Sequence, residues 1–397
     1  MVSSARVSLT RASSTRIDEP VGPFDAATLA NAAIGKLRAY DPGHDLPALR
    51  ARFGASLAEL GSNENPMGPG PRALRAMRAA LPEAFRYPDA RGTVLKRALS
   101  QLLGVSPERI ALGNGSHELL MLLAQCFADP RHPVVYSEFG FAVFPIAAAA
   151  AGARAIRVPA LPRRHRQAPL GHDLDAMVKA VRRNTRIVYL ANPNNPTGTW
   201  FDDAQLERIL ENVPREVLVV VDEAYHEYVE APGLTSALGL AGRFPNLVVT
   251  RTFSKAYGLA GLRVGYLVAH ASVVEVLERL RESFNVNGVA LAGAAAALAD
   301  KPWLAKVRAF NRAEREWLRG EMLERGFHCL PSQTNFLLCV LPRDAARLER
   351  FLFERGVVVR PMDGYGLPRA LRISVGKRAE NRRLLRALSA FVAVRNP

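Results

Sequence analysis

Ser254-Lys255 lies between two apolar runs, Leu247-Val248-Val249 and Val264-Gly265-Tyr266-Leu267-Val268, which places the lysine at the end of a strand. Lysine is scarce here. It occurs at positions 36, 96, 179, 255, 301, 306 and 377, and every other member of the 53 Lys+Arg is arginine. Arginine serves as a surface cation but cannot form a Schiff base, because its guanidinium stays protonated, whereas a desolvated ammonium beside other cations loses its proton readily. Arg263 follows eight residues later, so an amine, a hydroxyl and a guanidinium can converge on one phosphate-bearing aldehyde.

Three other segments put polar groups where apolar runs stop. Asp222 ends Val217–Val221, and a carboxylate at the end of a buried strand needs a cationic partner. The ring nitrogen of a protonated pyridine would supply one; the ordinary alternative is a helix cap. Tyr225, three residues on, can donate to an oxygen of the same ligand. Asn192-Pro193-Asn194-Asn195-Pro196-Thr197-Gly198 bars continuation of sheet or helix and presents side-chain amides, either as a stiff turn or as ligand donors. Gly113-Asn114-Gly115-Ser116-His117-Glu118 opens a helix, and its backbone N–H groups make either a Ser-capped start or an anion site.

Ser254-Lys255 with Gly258-Leu259-Ala260-Gly261-Leu262-Arg263 resembles the cofactor-lysine segment of fold-type-I aminotransferases, with the histidinol-phosphate aminotransferase branch nearest. Asn63–Gly68, Tyr87-Pro88, Gly113–Ser116, Asn194–Gly198 and Asp222–Tyr225 occur in that family's order. The resemblance runs from about residue 40 to the C-terminus and implies pyridoxal 5'-phosphate as cofactor. It implies a Schiff base on Lys255, with Asp222 and Tyr225 completing the catalytic set. Gly115, Ser116, Ser254 and Arg263 would hold the cofactor phosphate, and Asn195 and Tyr225 its phenolic oxygen. Phe141 would stack on the ring, although many relatives carry tyrosine there; His117 would also contact the cofactor, although the family usually has aspartate at its position. Tyr87 would reach the cofactor of a neighbouring subunit in a homodimer with shared active sites. Tyr40, Asn65, Arg360 and Arg372 would bind substrate, with the two arginines expected at ends of strands in the C-terminal third. The implied reaction takes L-histidinol phosphate and 2-oxoglutarate to imidazole-acetol phosphate and L-glutamate, a step of histidine biosynthesis. Threonine-phosphate decarboxylase and aromatic amino-acid aminotransferase chemistry are the alternatives within the fold. A cofactor-binding regulator is the non-enzymatic one, although the residues before Tyr40 are too few for a DNA-binding module.

The elements that must position these groups alternate. Strands are expected at 110–112, 133–137, 154–158, 186–190, 217–221, 247–250 and 264–268, with amphipathic helices between many of them, which predicts an α/β fold with a large, mainly parallel seven-stranded sheet covered on both faces. Ligands of such sheets sit beyond the carboxyl ends of the strands. A long helical stretch from Pro302 to Arg325, then strands and a closing helix, predict a smaller C-terminal α/β domain. The expected division is a tail and arm over 1–38, a segment over 39–70 that joins the small domain and dimer contacts, a cofactor-binding domain over 71–300 and a small domain over 301–397.

Composition bounds the rest. Hydrophobic residues make up 49% of 397, enough for a sizeable core. The longest uncharged runs, Phe139–Ala153 and Ser283–Ala299, fall short of the ~20 apolar residues of a membrane span, so no membrane partner is expected. Three cysteines (126, 329, 339) without Cys-x-x-Cys spacing argue for a reducing, cytoplasmic setting and against disulfides or zinc, and the scattered histidines argue against any metal. Net charge is +16, yet the densest basic run, Arg163-Arg164-His165-Arg166, lacks interleaved aromatics. It reads as solvated surface charge with small acidic substrates as the partners, not nucleic acid. Residues 1–24 carry no acid before Asp18 and could pass for a transit peptide, though a disordered tail fits them better.

Overall fold

The computed structural model of the chain describes residues 25–26, 29–30, 32–35, 45–342 and 345–393. Strands are numbered along the chain: β1 (Ala58–Glu59), β2 (Ile110–Gly113), β3 (Val134–Ser137), β4 (Ala155–Val158), β5 (Ile187–Ala191), β6 (Leu218–Asp222), β7 (Leu247–Thr252), β8 (Gly265–Val268), β9 (His328–Cys329), β10 (Phe336–Val340), β11 (Val357–Val358), β12 (Arg360–Pro361) and β13 (Ala370–Ser374). Seven of them form one sheet in the order β2-β8-β7-β6-β5-β3-β4, in which only β8 runs against its neighbours.

Parallel strands covered on both faces read as unbroken apolar runs, and β5 and β7 are buried along their whole lengths. One face packs on the helices Gly115–Phe127, Val143–Ala150 and Ala271–Leu280 around Leu119, Phe144, Tyr189 and Leu277. Helices Leu174–Ala180 and Asp203–Asn212 cover the other around Val188, Leu206 and Val219. The expected α/β fold with a mainly parallel seven-stranded sheet is what forms.

A second sheet, β12-β13-β10-β9, is antiparallel and packs on the helices Lys301–Glu324 and Arg378–Ala393 through Leu318, Leu337, Leu371 and Leu384. The N-terminal segment joins this side of the molecule, since β1 pairs in parallel with β11. Two expectations are corrected here. Cys329 and Cys339 face each other across the β9–β10 ladder and are joined by a disulfide, which spacing alone argued against. Arg372 lies in the middle of β13, not at its end, directly across from Arg360. Among the described residues no helix is long and apolar enough to cross a membrane.

Candidate active site

Strand ends set the geometry. β2, β5, β6 and β7 finish on the same edge of the large sheet, and the residues just beyond them line one cavity of about 410 Å³. Turn-forming sequence follows these strands: Asn114-Gly115 after β2, an Asn/Pro loop after β5 whose prolines bar further pairing, and the segment carrying Ser254-Lys255 after β7.

Ser116, Ser254 and Arg263 line one end. The helix Gly115–Phe127 directs its N-terminus there, where unsatisfied backbone N–H groups and the helix dipole favour an anion. Arg263 has a left-handed backbone, φ 53°, a conformation rare outside glycine and common at functional sites. Its Nη1 donates to Ser254 Oγ at 3.2 Å and to Ala260 O at 3.1 Å. Glycines make this convergence possible. A Cβ on Gly115 (φ 81°) would lie 2.7 Å from Arg263 Nη2, and one on Gly265 would lie 2.6 Å from Ser116 N. His117 also lines the cavity, and partial desolvation, with Arg263 nearby, lowers its imidazole below the usual range.

Asp222 stands deeper, buried, its Oδ1 accepting from Thr250 Oγ1 at 2.8 Å. Burial pushes its carboxyl up to about 7, against the opposing pull of the Thr250 hydroxyl; Glu223 adds to the rise and Lys255 opposes it. Such a group calls for a cation inside the cavity. Tyr225 is buried with its ring edge on Phe336, and its OH accepts from Asn63 Nδ2 at 3.0 Å. Burial raises that phenol to about 12. Asn195 Oδ1 accepts from Arg372 Nη1 at 2.7 Å, which leaves its Nδ2 as the donor toward the cavity. Phe141 lines the wall as a flat ring set edge-on to Phe144.

Lys255 Nζ sits 3.4 Å from Ser62 O and 5.8 Å from the centre of the Tyr225 ring. Burial lowers its ammonium to about 8, and the positive charges of Arg372 and Arg263 lower it further, while Glu64 and Asp222 oppose them. The neutral, nucleophilic form therefore dominates above about pH 8 rather than above 10.5. Stripped of any aldehyde ligand, the protein should recapture it at a rate that climbs with pH and levels off just above 8. Stopped-flow absorbance checks this, and a rate still climbing at pH 10 contradicts the depressed pKa.

Arg360 and Arg372 line the same cavity. They are register partners across β12 and β13, which sets two guanidinium-bearing residues side by side on the cavity wall. Arg372 is buried and anchored by Asn195 and by Gly61 O at 2.8 Å.

Not every expected residue arrives. Asn65 does not line the cavity: its Nδ2 donates to Ala256 O at 2.9 Å and its Oδ1 accepts from Met67 N at 3.0 Å, so it shapes the loop instead of contacting a ligand. Asn63, two residues earlier, is the one that reaches in, and sequence reasoning passed over it. Its left-handed backbone (φ 55°) turns the amide onto Tyr225, while Ser374 of β13 and Asn335, just before β10, hold its backbone. Tyr87 is 83% exposed and stacks on Phe284, away from this chain's own cavity. Tyr40 lies outside the described residues. Replacing Asn63 with alanine should cost turnover up to about tenfold, the worth of one hydrogen bond, whereas Asn65→Ala should lower the melting temperature and leave KM within about twofold. Steady-state kinetics with thermal melts distinguish the two.

The family profile "Aminotransferase class I and II" matches residues 55–388. Histidinol-phosphate aminotransferase 2 of Pseudomonas aeruginosa is 47% identical over 379 residues, covering 93% of this chain and 99% of that protein. The chain belongs to the histidinol-phosphate aminotransferases, within the class I and II aminotransferase family. Histidinol-phosphate aminotransferase 1 of Nitrosococcus oceani is 45% identical over 92% of this chain and 97% of its own length. Among solved structures, histidinol-phosphate aminotransferase from Sinorhizobium meliloti in complex with pyridoxal-5'-phosphate is similar with TM-score 0.81 and 32% identity, covering 92% of this chain and 98% of that one. L-threonine-O-3-phosphate decarboxylase from Porphyromonas gingivalis shares the fold at TM-score 0.74 and 22% identity.

Proposed function

We propose that this aminotransferase moves the amino group of L-histidinol phosphate to 2-oxoglutarate, giving imidazole-acetol phosphate and L-glutamate, with pyridoxal 5'-phosphate held in the cavity described above. The residues suit that group. Ser116, Ser254, Arg263 and the helix N-terminus at Gly115 offer a phosphate cradle, Asp222 offers the carboxylate that a protonated ring nitrogen needs, and Asn195 Nδ2 and the Tyr225 hydroxyl offer donors for the phenolic oxygen. Bound there, the cofactor serves as an electron sink for the pair released when the substrate's α-hydrogen leaves.

Lys255 Nζ would anchor the cofactor and, as a free amine, would take the substrate's α-proton as general base and return a proton as general acid. Its depressed pKa suits both roles near neutral pH. Asp222 keeps its charge beside the cation it faces, and Thr250 fixes its orientation. Phe141 provides a flat face for the ring. Tyr225, steadied by Asn63, sets the protonation of the groups around the lysine.

The cross-strand pair Arg360 and Arg372 carries the choice of substrate. A second cationic centre, carried by the smaller sheet, suits a substrate bearing its own phosphate, and the names of the relatives at 45–47% identity point the same way. Threonine phosphate has that chemistry too. Purified protein should form glutamate from histidinol phosphate and 2-oxoglutarate; carbon dioxide released from threonine phosphate, without glutamate formation, would overturn the reading in favour of a decarboxylase.

Assembly and layout belong to the same reading. Tyr87, Phe284 and Phe85 leave aromatic surface exposed, which supports a homodimer in which Tyr87 completes the partner's site. Residues 71–300 form the cofactor-binding domain, and residues from 301 onward with the 39–70 segment form the small one. The enzyme works in the cytoplasm.

A further inference from the structure

We propose that a second anion site, separate from the active site, lies in the cleft beneath the β4–Leu174 connection and binds a small ligand carrying several linked phosphates. Arg163, Arg164 and Arg166 from that connection meet Arg319 of the helix Lys301–Glu324 and His328 of β9 around an open cavity of about 650 Å³. The sequence presents the first three as ordinary surface charge. What changes their meaning is Arg319, about 150 residues distant in the chain, which arrives from the other side of the molecule.

The charges in this cleft are uncompensated. No aspartate or glutamate lines it, and among the described residues none of the four arginine side chains has a hydrogen bond or an ion pair. Arg319 Nε is buried without an acceptor, an arrangement that disfavours the empty cleft and favours an anion in it. Elsewhere on the same helix arginine finds partners: Arg315 donates to Thr334 O at 3.2 Å and pairs with Glu316 at 3.1 Å.

The loop is also shaped before any ligand comes. Leu161 N donates to Gly171 O at 2.9 Å, His165 N to Pro162 O at 2.8 Å, and Ala168 N to His165 Nδ1 at 3.0 Å. That last contact holds the His165 ring in place beside the cleft. Four guanidiniums demand more negative charge than a single phosphate brings. A volume of this size, without phenylalanine, tyrosine or tryptophan in its lining for base stacking, selects a compact oligophosphate over a nucleic-acid strand.

The test is calorimetry of the cofactor-loaded enzyme with inorganic tripolyphosphate. One saturable site per chain is expected, undisturbed by saturating histidinol phosphate and weakened at least about tenfold in Arg319→Gln and in the loop variant Arg163→Ala/Arg166→Ala, both retaining transamination. The loop variant changes only exposed side chains, so it carries the test if Arg319→Gln folds poorly. Displacement by histidinol phosphate with no effect of these substitutions would place the ligand in the active site and overturn the proposal. Absence of saturable binding would overturn it as well, and so would a duplex oligonucleotide that binds more tightly than tripolyphosphate through the same arginines.

Discussion

Replacing Lys255 with alanine should abolish transamination, a loss of at least about 10⁴-fold, because it removes both the anchoring amine and the group that moves the α-proton. Lys255→Arg should be equally inactive. It keeps the positive charge but cannot give it up, and a guanidinium neither attacks an aldehyde nor accepts a proton at neutral pH. Folding should survive both changes, since among the described residues the lysine's ammonium makes a single polar contact, the 3.4 Å approach to Ser62 O. Borohydride reduction of the wild-type protein followed by peptide mapping should find the pyridoxyl group on Lys255. A label on any other lysine, or appreciable turnover in Lys255→Ala, contradicts the assignment.

The second large effect is expected at Asp222. Removing one partner of a buried ion pair costs about 3–5 kcal/mol, so Asp222→Ala should weaken cofactor retention by roughly two hundred- to several thousand-fold and lose most turnover. Asp222→Asn should behave alike while preserving shape, which isolates the charge. Without cofactor the sign reverses. The carboxyl titrates near 7 in the folded protein and near 3.8 in a free chain, so the folded state binds the proton more tightly and the cofactor-free wild type should lose stability as pH rises from about 4 to about 7. Cofactor-free Asp222→Asn should lack that loss. Parallel thermal melts across this range check it, and identical pH profiles for the two proteins count against a buried, raised Asp222.

Much of this site was legible because the large sheet is buried on both faces. Unbroken apolar runs mark strands there and polar residues gather where the runs stop: Asp222 directly ends one, Asn195 lies in the Asn/Pro loop that follows another, and Ser254-Lys255 follow a third after Thr250-Arg251-Thr252-Phe253. The smaller sheet speaks less plainly. Leu371-Arg372-Ile373 alternates with the period of a strand that has one face on the core, and Arg372 is mid-strand for that reason. Its pairing with Arg360 depends on antiparallel register, which no local pattern encodes. Register also brings Cys329 to Cys339, ten residues apart in the chain. Asn63 and Asn65 stand in the same Pro-bounded loop with the same side chain. Only the backbone turn at Asn63 decides which amide meets Tyr225 and which is consumed by Ala256 O.

The most direct test of the phosphate-ester aminotransferase account is kcat/KM for histidinol phosphate against histidinol and phenylalanine, measured in wild type and in Arg360→Ala. A charge-assisted contact is worth about 1.5–3 kcal/mol and two arginines are engaged, so wild type should favour histidinol phosphate by at least about a hundredfold, and Arg360→Ala should shrink that ratio by at least about tenfold. Equal kcat/KM for histidinol phosphate and phenylalanine, or a ratio untouched by Arg360→Ala, would contradict it.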